Sequence, residues 1–286
     1  MKGADPMKYI MLAGHRKSGT TLLHKLFDGH PSINVSPVDL SLLYAFYPCW
    51  SSAAINLDEK RARFTKVLRD STFRFSGAYI SENVKTFEPD EFIKNFWDRY
   101  DVASLLVPSR IIEAISETYC HYAGLDRSLP FLFKETSQAV NLQGLLDDGL
   151  DIQCVQIIRD PRDNYAAIKA GVAKYYQKMN ENEKESLASV LNRAKLDLQL
   201  ASELSNELKE LFFAIRFEDL VNSPGDEMRR LVKCLGIPWT ESLLIPTFLD
   251  EKFLGNNHEG QQFPGVSNSN VGRWKERISD FEAAAI

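Results

Sequence analysis

The sequence predicts an α/β fold of three layers: a central parallel sheet between helices, a phosphate-binding turn near the start, and a helical insertion. Three observations carry that expectation. Residues 9–24 run as a short apolar stretch, a glycine-bearing turn and a continuation with helical spacing, which is a strand–loop–helix unit. Apolar runs of strand type at Pro130–Lys134, Ile152–Ile158 and Leu211–Phe217 alternate with helical stretches, and such alternation makes a parallel sheet with ligands at its carboxyl edge. Residues 57–125 read as helices and loops, a place where an α/β enzyme often keeps its substrate-specific surface.

In chain order, the first helix runs through Leu22, Leu23, Leu26 and Phe27 and should stop near Gly29-His30-Pro31. Ile33–Ser36 is a short strand candidate. The stretch 40–50, with Tyr44, Phe46, Tyr47 and Trp50, is either buried packing or the wall of an acceptor pocket. Helices are expected from Pro89 to Tyr100, Ser104 to Tyr122, Gln138 to Leu146, at 161–179 and at 184–210. Ser223-Pro224-Gly225-Asp226 opens another helix with a hydroxyl cap, a proline at the first position and an early acid, and Gly236 ends it. Residues 250–272 read as one long loop, and a length like that inside a compact domain calls for a function. A final helix follows Gly272.

With 286 residues, 44% apolar and 26% charged, the chain is expected to form one globular domain over 1–286. Its net charge of −5 gives no global attraction for nucleic acid or an anionic membrane, so any polyanion must be met by local charge. Basic residues do gather at 16–17, 159–162 and 273–277. The four cysteines form no CxxC pair and the five histidines no HExxH spacing, so no metal site is expected. No N-terminal apolar stretch has the length of a signal peptide or a membrane span, and a cytoplasmic location is the default expectation.

The chemistry concentrates in Gly14-His15-Arg16-Lys17-Ser18-Gly19-Thr20-Thr21. Glycines let backbone N–H groups turn inward, and with the first turn of a helix they form a concave site that favours phosphate. Gly14 and Gly19 have the spacing of a nucleotide-triphosphatase P-loop, but Thr20 stands where that loop has its lysine. The cations sit inside the loop instead, as Arg16 and Lys17. A second anion site is expected at Ile158-Arg159-Asp160-Pro161-Arg162-Asp163, where a strand ends, Asp160 can cap the helix and Pro161 starts it.

Taken together with Arg216-Phe217-Glu218-Asp219-Leu220, Cys234-Leu235-Gly236-Ile237-Pro238-Trp239 and Gly272-Arg273-Trp274-Lys275, these segments resemble the successive blocks of sulfotransferases that use 3′-phosphoadenosine 5′-phosphosulfate (PAPS). The likeness is nearer to the glycan, tyrosyl-protein and bacterial branches than to the cytosolic small-molecule branch. It implies that Arg16, Lys17, Ser18, Gly19, Thr20 and Thr21 hold the 5′-phosphosulfate, with Lys17 also catalytic. Arg159 is implied to take the 3′-phosphate, while Arg273, Trp274 and Lys275 in a covering loop at 250–275 close over it.

The resemblance further implies that PAPS is converted to 3′-phosphoadenosine 5′-phosphate (PAP) without a metal. The acceptor is expected to be a metabolite or glycan hydroxyl, or an amine, held on the side of residues 57–125. The related branches commonly use a glutamate soon after the first helix as base, and the matching distance from Lys17 leads to Asp39, which the resemblance makes the candidate base, although it could instead cap the segment after it; His121, Glu82 and Glu135 stand in reserve. Lys134 matches a lysine that reaches the active centre in the related branches, and an ion pair with Glu135 is its alternative. Two positions depart from the family pattern: Ala167 where a serine shares the 3′-phosphate, and Phe217 where a tyrosine is frequent. A P-loop kinase or nucleotide hydrolase, and a non-catalytic nucleotide-binding homologue, are the competing readings.

Overall fold

The computed structural model describes residues 7–40, 42–43, 55–76, 88–172, 183–256 and 261–286. Tyr44, Phe46, Tyr47, Trp50, Glu82 and residues 77–79 lie outside them. At the centre is a five-stranded sheet of β1 (Tyr9–Ala13), β2 (Asn34–Asp39), β3 (Phe131–Lys134), β4 (Ile152–Ile158) and β5 (Phe212–Arg216). The order is β2-β3-β1-β4-β5 and every pairing is parallel.

β1 shows why the sheet sits where it does. All five of its residues are buried, and they alternate between two cores. Tyr9, Met11 and Ala13 join a cluster with Phe96, Ile112 and Ile115, whereas Ile10 and Leu12 join one with Leu23, Leu26 and Leu231. A strand covered on both faces has no polar side to show, hence its unbroken apolar sequence.

The first face is built by α2 (Leu57–Ser76), α3 (Pro89–Arg99), α4 (Pro108–Ala123) and α5 (Leu142–Asp147). Phe64 and Phe96 meet with ring centroids 5.1 Å apart, which locks α2 to α3. The second face is built by α1 (Thr20–Phe27), α8 (Phe217–Asn222) and α9 (Pro224–Leu235). α6 (Pro161–Val172) and α7 (Glu183–Glu207) lie side by side with Tyr165, Ile168 and Val190 between them. α10 (Trp274–Arg277) and α11 (Asp280–Ala285) end the chain.

Several boundaries differ from the sequence expectation. β2 runs on to Asp39, and its pairing with β3 shifts register between Val35 and Asp39. The expected strand to Phe217 stops at Arg216; Phe217 opens α8, with Glu218 and Asp219 in a first turn that favours acids. Ser223 precedes α9 without its side chain bonding the helix. The stretch read as one loop contains two antiparallel ribbons, Thr247–Phe248 with Glu251–Lys252 and Gly255–Asn256 with Gln262–Phe263. The final helix is two, because Ser279 starts α11 with a full capping box to Glu282.

Candidate functional site

Parallel strands bring their carboxyl ends to one edge, so the turns after Ala13, Asp39, Lys134, Ile158 and Arg216 share a crevice. β1 lies in the middle, between β3 and β4. The turn that follows it is tightly set. Gly14 has φ 141°, and a Cβ there would lie 2.4 Å from the Ile157 carbonyl oxygen; Gly19 has φ 103°, and a Cβ would lie 2.4 Å from the Phe217 ring. Both glycines are needed for close approach as much as for their backbone angles.

Lys17 itself is left-handed at φ 68°, a conformation that costs a non-glycine residue energy and persists only where neighbours hold it. They do. The Ser18 hydroxyl and N–H both donate to the His15 carbonyl, at 2.6 and 3.1 Å. Asn164 of α6 clamps the same turn, pairing its Oδ1 with His15 Nδ1 at 2.8 Å and donating its amide to the Arg16 carbonyl at 2.9 Å. α1 starts directly behind, with no acidic residue in its first turn to compete for its N–H groups.

Cations crowd this turn. Burial, reinforced by Lys134, Arg16 and Arg159, brings the Lys17 ammonium down to about 8. Like charges are gathered here against their mutual repulsion, which is the setting a bound polyanion would relieve. Arg159 spans two segments: one guanidinium nitrogen donates to the Lys17 carbonyl at 2.8 Å and the other to the Asn270 carbonyl at 2.7 Å. Its face lies 4.6 Å from the Phe217 ring centre, and burial lowers its pKa.

Asp39 and Lys134 meet at the ends of β2 and β3. Lys134 Nζ is 3.0 Å from Asp39 Oδ2 and donates to the Thr21 hydroxyl at 3.2 Å, while Thr136 donates to Asp39 Oδ2 at 2.9 Å. The partner of Lys134 in this ion pair is therefore Asp39. Glu135 is fully buried and accepts the Leu42 N–H at 2.6 Å; burial first, then Asp39, hold its carboxyl well above the usual range. His121 is exposed near the C-terminus of α4, and its neighbours Cys120 and Asp126 contact Asn34 at the start of β2. That places it at the opposite edge of the sheet from Asp39, out of reach of the crevice.

The end of the chain folds over α6. Asp163 accepts the Gly272 N–H at 2.6 Å and the Trp274 N–H at 2.9 Å. The Trp274 ring stacks on Arg162 at 4.2 Å, and Arg162 grips both oxygens of Asp160. Asp160 also accepts the Arg162 N–H, so it does cap α6. Arg273 pairs with Glu276 at 3.2 Å, and Lys275 is exposed, 5.9 Å from the Trp274 ring centre. Arg277 lies close enough to Arg159 to repel it, and its Nε and Nη2 are shielded from solvent. The sequence places Asp163 beside the second anion site and Arg277 in a basic cluster without showing what either does, and it gives no signal for Asn164 or Thr136, whose roles depend on partners far along the chain.

A sulfotransferase-family profile matches residues 10–241. The chain belongs to the sulfotransferase family. Its chemistry is therefore sulfuryl transfer, carried on the α/β fold described above. Solved structures that match over nearly the whole chain include two sulfotransferase domains. The sulfotransferase domain from the curacin biosynthetic pathway is 20% identical with a TM-score of 0.59, covering 96% of this chain and 92% of that one. The sulfotransferase domain of the Synechococcus PCC 7002 olefin synthase is 14% identical with a TM-score of 0.59, covering 100% and 94%. Carbohydrate sulfotransferase 3 of Rattus norvegicus is 26% identical over 111 residues, and the match spans 35% of this chain and about a quarter (23%) of that protein. Among the described residues no group of three or more His, Cys, Asp or Glu side chains could hold a metal, and no helix is long and apolar enough to cross a membrane.

Proposed function

We propose that this sulfotransferase moves the sulfuryl group of PAPS to a hydroxyl or amine of a metabolite or glycan, by in-line displacement with Asp39 as the base. One observation carries the reading: the cationic turn around Lys17 and the Asp39–Lys134 pair open on the same crevice, joined through the Thr21–Lys134 hydrogen bond. An anion cradle and a carboxylate side by side are what the transfer asks of a protein.

As donor, PAPS supplies an activated sulfuryl group on a phosphate leaving oxygen, which needs charge neutralisation more than it needs a metal. The residues present fit it. The backbone and hydroxyls from Lys17 to Thr21, with the first turn of α1, would hold the 5′-phosphosulfate. Arg159 would take the 3′-phosphate, covered by Arg273, Trp274 and Lys275, and Arg277, whose charge is felt at Arg159, would add a donor in place of the one missing at Ala167. Lys17 would neutralise the departing oxygen as its bond to sulfur breaks. Asp39 would accept the acceptor's proton as the new oxygen–sulfur or nitrogen–sulfur bond forms, and Lys134 and Thr136 hold its carboxylate in place.

The Asp39→Asn variant tests the base. It should bind PAP as the native protein does, in a thermal-shift titration, and turn over labelled PAPS about 10²-fold or more slowly. Native turnover by this variant would remove the base role from Asp39.

A further inference from the structure

Lys25 takes no part in the chemistry described so far, yet it is fully buried. It lies one turn beyond Thr21 on α1, with its Nζ 4.1 Å from the Phe248 ring centre and 5.9 Å from that of Phe253. The ribbon that brings Phe248 is fastened to the same helix, since Thr247 donates to the Asp28 carboxylate at 2.8 Å and the Asp250 N–H donates to it at 3.2 Å. Burying an ammonium is costly, and a methionine would fill similar space at less cost. The cost suggests that the amine makes a contact that matters.

That contact is on the strand that carries Asp39. Lys25 Nζ donates to the Pro37 carbonyl at 3.4 Å, within the stretch where β2 slips its register against β3 between Val35 and Asp39. Pro37 has no N–H to give to a ladder, so regular pairing does not hold this stretch in place. We infer that Lys25 is a positioning residue for Asp39: its amine holds the Pro37 carbonyl at the irregular end of β2, so that the carboxylate two residues on meets Lys134 and Thr136. Charged and titratable groups around the amine include His24 on α1, Asp28 just after it and Lys134 on β3. Burial, with Lys134 adding and Asp28 opposing, brings its pKa to about 7. The inference rests on Asp39 acting as the base.

The test is a double-mutant cycle read by PAP release from labelled PAPS with water as the acceptor. Lys25→Met keeps most of the stem packing against Phe248 and should lower the turnover number about tenfold, leaving PAP affinity within about twofold. In an Asp39→Asn background the same change should cost nothing further, because its effect acts through Asp39. Native turnover by Lys25→Met, or an equal loss in both backgrounds, would overturn the inference. Native turnover by Asp39→Asn alone would instead remove the base reading, so the two failures are distinguishable. If Lys25→Met gives no thermal shift with PAP and is judged misfolded, Phe248→Leu loosens the cage with the amine retained, and should show a smaller loss with the same dependence on Asp39.

Discussion

Lys17→Ala should lower turnover by about 10²–10³-fold, the loss typical when one preorganised donor to a developing oxyanion is removed. The variant should still fold, because the turn is held by Ser18 and Asn164 rather than by the lysine side chain, which alanine truncates at Cβ. The same residue sets a pH dependence. Its pKa of about 8 before anything binds means that it is cationic below pH 8 and neutral above. A phosphate beside it favours the charged form, so binding above pH 8 must take up a proton. PAP affinity should therefore decline as pH rises beyond about 8, and Lys17→Ala should lose that decline. Calorimetric titrations in buffers of different ionisation enthalpy measure the proton uptake directly.

Arg159→Ala should act on binding more than on rate. Removing a guanidinium that can meet a phosphate costs about 1.5–3 kcal/mol, roughly 10- to 150-fold in PAP affinity. It also breaks the bonds to the Lys17 and Asn270 carbonyls, so the cradle and the covering segment lose their shared tie. Arg159→Lys separates the two contributions. A lysine restores one positive charge and cannot bridge two carbonyls in a fixed fork, so it should recover part of the affinity and leave the covering segment more open to proteolysis. Equilibrium binding of PAP, with limited proteolysis near residue 270, reads both.

Much of this site is legible in the sequence because its pieces sit at strand ends. Gly14, Lys17, Gly19 and Arg159 follow apolar runs, and a parallel sheet carries such turns to one edge whatever lies between them. Asp39 is reachable only through the resemblance, as the carboxylate at the matching distance from Lys17, and the structure brings it against Lys134. The parts that could not be read depend on three-dimensional partners. His121 and Asp39 are equally plausible bases as residue types; only the sheet direction shows that one is near the carboxyl edge and the other at the opposite one. Lys25 occurs in a short helix where a lysine normally points to water, and the ribbon that buries it comes from more than 200 residues later. In sequence that ribbon looks like loop, because its strands are two residues long, too short for alternation to register. Phe217 looked like the last residue of a strand, and its ring is needed instead against Gly19 and Arg159.

As a two-phosphate site for PAPS and its product, the carboxyl edge of the sheet should distinguish nucleotides by their 3′-phosphate. The most direct test is a thermal-shift measurement on the whole chain with PAP, with adenosine 5′-phosphate, and with ATP in the presence and absence of magnesium, since a ligand that binds only the folded state raises its stability. A rise with PAP that needs no metal and is much smaller with the monophosphate is the predicted result. A rise only with ATP and magnesium would contradict it and turn the cradle over to nucleotide triphosphate chemistry.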